Sequence, residues 1–447
     1  MCIEQANWHT LIVGLGKTGL SVARYLSAQG VKFAVMDSRQ QPPAADELTQ
    51  AFPDVPQYFG DLDEDYLCAA KRLIVSPGIP MATPAIEKAR SLGIEAIGDV
   101  ELFAREAKAP VVAVTGSNGK TTVVTLLDKM AKRAGIRVAT GGNIGLPVLE
   151  LLQQKDAALY VLELSSFQLE TTFSLHCKAA CILNITEDHL DRYAGRIDLY
   201  ARAKAKIYDH CEYKVVNRED ARVVAIAGEQ NVINFGADVP EAGQYGLLSE
   251  QGKTWLAKGE QKLLCTEEMK VAGQHNEINA LAALAVAEAA GLPLQPCLEV
   301  LREFTGLKHR TQWVAEHNGI NWFDDSKGTN VGATVAAMSG LGGKIVLLAG
   351  GQGKGADFTP LADAVQKYAR AVVLFGEDAE KIALALKGDI PIVFASTMLD
   401  AVRQANKLAQ IGDNVLLSPA CASFDMFDNY EQRGDVFTET VRQVVQC

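Results

Sequence analysis

Residues Thr115-Gly116-Ser117-Asn118-Gly119-Lys120-Thr121-Thr122 bring together the groups needed to hold a nucleoside triphosphate. Glycines let the main chain approach an anion, backbone N–H groups at a helix start point at it, and a lysine ammonium neutralises the outer phosphates. A hydroxyl directly after the lysine supplies a ligand for Mg²⁺. The loop reads G-x-x-G-K-T, two residues shorter than the common spacing G-x-x-x-x-G-K-T. The apolar run Val111-Val112-Ala113-Val114 precedes it, and Val124, Leu126, Leu127 and Met130 follow at helical spacing. A turn kept for purely structural reasons is the plainer alternative. The complete strand–turn–helix frame favours an ATP or GTP site.

Other strand-like runs end in residues that extend this chemistry. Glu163 closes Tyr160-Val161-Leu162, and a carboxylate at the end of a parallel strand beside a phosphate loop can help hold Mg²⁺. Ser165, Ser166 and Gln168 fall in the same turn. Asn184-Ile185-Thr186-Glu187-Asp188-His189-Leu190-Asp191 can be a second metal site, a substrate-orienting loop or an ordinary polar surface loop. Arg202, Lys204 and Lys206 alternate along the next segment, and spacing alone makes them solvated helix charges. Loops at 324–330, 350–357 and 418–425 are rich in Gly, Ser, Asp and Lys, and each follows an apolar run. Three of them in one sheet imply an edge that binds a polar ligand. Near the start, Gly14-Leu15-Gly16-Lys17-Thr18-Gly19 with Asp37 downstream has the spacing of an NAD site, although such a turn also serves other ligands.

Elements that position these loops follow from the apolar pattern. Strands are predicted at 10–13, 32–37 and 72–75, with a helix from the first Gly-rich turn to about Gln29. A second α/β unit begins near Ala109-Pro110, with strands at 111–114, 159–163 and 180–184 and a β-rich, turn-rich stretch at 215–265. A long helix over 279–290 is stopped by Gly291-Leu292-Pro293. A third unit from about Gly306 holds strands at 320–323, 345–348, 371–375 and 414–417. The 447 residues exceed one ordinary domain, and 48% apolar with 22% charged residues describe a soluble globular chain. A net charge of −11 argues against a nucleic-acid face. Nine cysteines without a C-x-x-C suit a reducing compartment. With no charged-then-apolar leader and no membrane-length apolar run, a cytoplasmic protein is expected.

With these residues in view, the chain resembles the Mur ligases of bacterial cell-wall synthesis over essentially its whole length. The matching stretches are 115–122, 142–147, 163–170, 186–193, 325–330 and 418–425. Members of that family carry the compact phosphate loop. The resemblance implies an α/β chain of three domains: a Rossmann-like UDP-binding domain (1–98), a central P-loop ATPase-like domain (99–306) and a C-terminal Rossmann-like, amino-acid-binding domain (307–447). It implies a monomer that uses ATP to add D-glutamate to UDP-N-acetylmuramoyl-L-alanine through an acyl phosphate, with closure of the third domain as the gate.

Carried over by position, the resemblance places Gly116, Ser117, Asn118, Gly119, Lys120, Thr121 and Thr122 on the ATP phosphates and Asn276 and Asn279 on adenine. Arg310, Asp325 and Lys327 would surround the nucleotide and the transferred phosphate. Thr121, Glu163, His189 and Lys204 would hold two Mg²⁺ ions, Lys204 as a carbamate made with CO₂. That assignment displaces the solvated reading of Lys204. By the same resemblance, Lys120, Glu163, His189 and Lys204 would carry the catalytic duties. Thr18, Asp37, Ser38, Ser76, Pro77, Gly78, Asn143, Ser165 and His189 would bind the UDP-sugar. Thr329, Lys354, Ser423 and Tyr430 would form the D-glutamate pocket, position 430 being more often Phe in the family. A dehydrogenase leaves the phosphate loop, Glu163 and the His189 loop without a task. The Asp-Asn-Pro-Arg motif of the sibling that adds a diamino acid is absent.

Overall fold

A computed structural model describes residues 8–445, apart from Ala272 and Lys387. Three sheets follow one another along the chain. The first has five parallel strands in the order Gln57–Phe59, Phe33–Asp37, Thr10–Val13, Arg72–Val75, Glu95–Ile97. Its three central strands are short, continuous apolar runs because both faces are covered, as parallel sheets require. The order reverses between Thr10–Val13 and Arg72–Val75, so the loops after these two strands part and leave a crevice at their C-terminal ends. The Gly14–Gly19 turn and Ser76-Pro77-Gly78 form its two lips.

The middle sheet runs Gln261–Cys265, Lys253–Lys258, Tyr245–Glu250, Val232–Phe235, Cys211–Asn217, Cys177–Ile182, Val111–Thr115, Leu159–Glu163, Val138–Gly142. It is parallel from Val138–Gly142 through to Tyr245–Glu250 and ends in an antiparallel meander. Val111–Thr115 lies between Leu159–Glu163 and Cys177–Ile182, with Val114 opposite Glu163 and Thr115 opposite Ile182. This register brings the phosphate loop, Glu163 and the 183–191 loop to one edge. The 215–265 stretch is β-rich as expected, with one short helix, Ala221–Ala227, capped by the Asp220 carboxylate.

The predicted helix at 279–290 is Gln274–Ala289, one turn and more longer at its start. Apolar spacing misses that first turn because Gln274, His275 and Asn276 are polar, the last two lining a cleft. The rest is buried almost all round, which explains its alanine content, and it packs along Lys120–Arg133, the helix that follows the phosphate loop. The third sheet runs Gln312–His317, Ile320–Asp324, Asn414–Leu417, Ile345–Gly350, Ala369–Phe375, Ile392–Phe394, with only the first strand antiparallel. Ile320–Asp324, Asn414–Leu417 and Ile345–Gly350 are neighbours, so the three polar loops predicted to share an edge do so. Among the described residues no helix is long and apolar enough to cross a membrane, and seven cysteines are free thiols.

Candidate active site

The phosphate loop is pinned to the 183–191 loop beside it. Ser117 N donates to Asn184 O (2.9 Å), Asn118 N to Asn184 Oδ1 (2.8 Å), and Asn184 Nδ2 to Asn118 O (3.1 Å). The Ser117 hydroxyl accepts from Thr186 N (2.9 Å) and donates to Thr186 O (3.0 Å). Gly119 has φ +85°, and a Cβ there would collide with Asn279 Oδ1. Glycine therefore lets the loop lie directly against the helix that carries Asn276 and Asn279. Lys120 folds back to donate from Nζ to Gly116 O (2.8 Å) and Ser117 O (3.0 Å). Burial lowers its pKa, against the pull of Glu163 and Asp188. Thr121 and Thr122 sit in the first turn of Lys120–Arg133, at the positive end of its dipole.

Glu163 is 1% exposed. Its Oε1 accepts from Asn143 Nδ2 (2.8 Å), while Oε2 is buried with no hydrogen-bond partner among the described residues. Leaving such an oxygen dry and unpaired costs about 1–3 kcal/mol or more. Its charge is felt by Lys120, Lys204, Arg310 and Lys327, which places it among cations that do not bond to it. An unpaired anionic oxygen beside the Thr121 turn fits a hard divalent cation. No three His, Cys, Asp or Glu side chains gather to hold a metal unaided among the described residues. The remaining ligands must then be hydroxyls or oxygens brought by a nucleotide or a modified side chain.

The three alternating cations of the 197–206 segment part company. Arg202 is exposed, whereas Lys204 is 1% exposed, with Nζ donating to Gly116 O (2.9 Å) and Thr115 Oγ1 (3.3 Å) over the Tyr200 ring. Lys206 is half-buried and donates to Glu170 O (2.8 Å). Spacing of two along an α-helix turns successive side chains to opposite sides, which explains Lys204. Lys206 begins a tighter 3₁₀ turn, Lys206–Tyr208, that swings it inward. The solvated reading holds for Arg202 alone. Burial drives the Lys204 pKa well below the ordinary lysine range, and the neighbouring Lys120 adds to the effect.

His189 stands in a left-handed conformation (φ +55°), its ring 5.0 Å from that of Phe167. Burial, opposed by Asp188 and aided by Lys354 and Lys120, takes its pKa down to about 4. The imidazole is neutral at pH 7 and keeps a lone pair for a ligand. From the third domain, Lys354 Nζ lies 3.5 Å from Asp188 Oδ1. Asn330 Oδ1 accepts from Asn118 Nδ2 (3.2 Å) and Asn330 Nδ2 donates to Asn118 Oδ1 (3.0 Å), a reciprocal amide pair between third domain and phosphate loop. Thr329 and Lys354 line a small cleft with Glu187, Asp188 and His189.

A larger cleft of about 290 Å³ runs between the same domains, lined by Asn118, Thr122, Asn276, Asn279, Arg310 and Lys327. Asp325 faces it, with Oδ1 accepting from Thr311 N (3.0 Å) and Oδ2 from the Ser418 hydroxyl (2.7 Å); burial raises its pKa to about 7. Lys327 Nζ sits 3.7 Å over the Tyr430 ring. Burial, with the charges of Arg310 and Lys120, takes it down to about 8, while Glu163 and Glu431 oppose. Ser423 is buried in the 418–425 loop, and Tyr430 begins the helix Tyr430–Val445.

In the first domain, Thr18 lies in the first turn of the helix Lys17–Ala28, and Ser38 is exposed at the rim. Asp37 is fully buried, one oxygen accepting from Leu15 N (2.7 Å), and its carboxylate also holds the Arg39 guanidinium. It fixes the Gly-rich turn and presents Arg39 at the rim. Ser76 Oγ donates to Gly14 O (2.7 Å), joining the two lips of the crevice. Asn143 reaches Glu163, and Ser165 caps the helix Ser166–Glu170 just beyond.

Sequence reading missed Arg433. Its fully buried guanidinium donates to Ser326 Oγ (3.0 Å), Ser326 O (2.8 Å) and Cys421 O (3.1 Å), holding the 324–330 loop against the 418–425 loop. Nothing in Glu431-Gln432-Arg433-Gly434 distinguishes it from a surface helix charge.

Comparison with known proteins agrees with this architecture. Residues 8–98 match the family described as Mur ligase MurD-like, N-terminal domain. Residues 114–287 match the Mur ligase middle domain, and 309–421 the Mur ligase glutamate ligase domain. A protein of Pseudomonas putida named UDP-N-acetylmuramoylalanine–D-glutamate ligase is 53% identical, with 96% of each chain covered. One of the same name from Nitrosococcus oceani is 50% identical over 98% of this chain and 97% of its own. Among solved structures, a pseudomurein peptide ligase type C from Methanothermus fervidus superposes with a TM-score of 0.63 at 17% identity, covering 98% of this chain and 100% of that one. The MurF ligase of Thermotoga maritima in complex with ADP gives 0.62 at 17% identity, covering 99% and 96%. At such identity the two structures speak for the fold. Family matches across all three domains and full-length relatives at half identity place this chain in the Mur ligase family.

Proposed function

We propose that the chain is a cytoplasmic, ATP-dependent ligase that joins D-glutamate to UDP-N-acetylmuramoyl-L-alanine in peptidoglycan precursor synthesis. The observation that carries this reading is the unpaired, buried Glu163 oxygen among Lys120, Lys204, Arg310 and Lys327, where phosphate loop and third domain meet. The division of labour is UDP-sugar on 1–98, ATP on 99–306 and D-glutamate on 307–447. First, an alanyl carboxylate oxygen bonds to the γ-phosphorus of ATP as the bond to the β-phosphate bridge breaks, giving an acyl phosphate and ADP. The amine of D-glutamate then bonds to the acyl carbon, loses a proton, and inorganic phosphate leaves.

Both steps bring anions together, so the cations of the cleft are the main aid. Lys120 and the loop amides hold the transferred phosphate, and Arg310 and Lys327 face it from the third domain. Asn276 and Asn279 border the base. The 76–78 loop, with Thr18, Ser38 and Asn143, orients the UDP-sugar, and Thr329, Lys354, Ser423 and Tyr430 hold D-glutamate. Glu163 and Thr121 fit one Mg²⁺, and His189 with Lys204 a second; when bound, these ions neutralise phosphate charge. For Lys204 this needs a change of chemistry, because an ammonium has only donors. Its buried amine, held neutral, has a lone pair that can bond to CO₂, releasing a proton and leaving a carbamate oxygen as ligand.

Phosphate release from ATP should require both UDP-N-acetylmuramoyl-L-alanine and D-glutamate. Equal or faster release with L-alanine or diaminopimelate in place of D-glutamate would sink this assignment.

Nucleotide binding should also draw in protons near pH 8. Lys327 has a pKa of about 8 in the free protein, and the phosphates raise it, so binding favours the protonated form. Affinity is full below pH 8 and declines as pH rises through it. Titration calorimetry at pH 8 in buffers of different ionisation enthalpy should show uptake approaching about half a proton. Proton release, or no linkage, would remove Lys327 from the phosphates.

A further inference from the structure

Arg192 belongs to the middle domain but bonds to the first. Its guanidinium donates to Pro77 O (3.1 Å) and Ile79 O (3.2 Å) and pairs with Glu170 (3.0 Å). It lies 4.4 Å over the Phe167 ring, which also meets the rings of His189 and Tyr193. Glu170 is anchored in turn by the Tyr193 hydroxyl (2.6 Å). The side chain is only 9% exposed, so these bonds are largely shielded from water. Pro77 and Ile79 flank Gly78 in the lip of the first-domain crevice. Behind them, a Cβ on Gly14 would stand 2.9 Å from Ser76 Cβ and 3.1 Å from Ile79 Cγ1, so the loop packs directly against the Gly-rich turn.

We propose that Arg192 is a positioning residue that yokes the first-domain loop carrying the UDP-sugar to the His189–Phe167 wall of the middle domain. The inference rests on the UDP-sugar reading above. Only a planar fork reaches two carbonyls and a carboxylate while stacking on an aromatic face; a lysine supplies one compact charge. The reaction needs the substrate carboxylate in line with the γ-phosphate, and an error of about 1 Å between such partners costs about 100-fold in rate. Two loops from separate domains meet that tolerance only if something spans them, and Arg192 does.

Steady-state kinetics of full-length Arg192→Ala and Arg192→Lys test this. In Arg192→Ala, kcat should fall by about 100-fold. Its KM for the UDP-sugar should rise about tenfold or more, the scale of a lost charge-assisted hydrogen bond. KM for ATP should stay within about twofold of wild type, and the lysine variant should be intermediate. An unchanged KM for the UDP-sugar, an equal rise for ATP, or failure of both variants to fold would overturn the proposal. If wild type itself does not turn over this UDP-sugar, the functional reading fails instead. Hydrogen exchange of segment 76–79 then decides for Arg192: faster exchange in Arg192→Ala supports the yoke, and unchanged exchange overturns it.

Discussion

Replacing Lys120 by alanine is expected to cut ATP-dependent phosphate release about a thousandfold, ~4 kcal/mol in barrier height. The ammonium is the one side-chain cation placed on the phosphate loop itself, and it serves a charge that grows at the transferring phosphoryl group. The fold should survive. Among the described residues Nζ bonds only to two loop carbonyls, and the loop is held independently by Asn184 and Thr186. Removing a half-buried ammonium that has no carboxylate partner among the described residues relieves desolvation, so thermal unfolding should occur at or above the wild-type temperature. Release retained within about tenfold, ~1.4 kcal/mol, would place the phosphates elsewhere.

Lys204→Ala should be as damaging in rate, on the order of 10²–10³, if its carbamate supplies an anionic oxygen to the reaction. Acetate or formate should restore part of the activity by filling the vacated space beside Thr115 and Gly116. Arg202→Ala, on the exposed side of the same helix, should leave turnover unchanged. Full activity of the Lys204 variant would return it to a structural role, as a cation stacked on Tyr200 and tied to Gly116 O. A loss that no carboxylate repairs would instead argue that Lys204 acts as an amine.

Local patterns carried much of this architecture. Apolar runs closed by Gly, Ser or Asp located the central strands and the loops at their ends, because a buried parallel strand has no polar face to blur the signal. The phosphate loop and Glu163 were legible for that reason. Rotation about a helix axis over so short a stretch was not, so Arg202, Lys204 and Lys206 looked alike although only one is exposed. The first turn of Gln274–Ala289 was hidden because residues facing a ligand cleft do not follow core periodicity. Arg433 and Arg192 act on backbone carbonyls of distant segments, and a carbonyl leaves no trace in residue type. Their partners emerge only once the chain has folded.

The amide pair between Asn118 and Asn330 bears on how often the third domain lets go. Asn330 Oδ1 also accepts from Ala333 N (2.9 Å), at the start of the helix Val331–Gly340. When Asn118 departs, that oxygen still serves the helix, so nothing in the third domain must unravel. Two neutral amide bonds of about 1 kcal/mol each contribute roughly a thirtyfold bias toward the latched arrangement, beside the Lys354–Asp188 contact. A contribution of that size is within reach of ordinary thermal motion. If the third domain opens to release spent nucleotide, this pair by itself demands no input of energy.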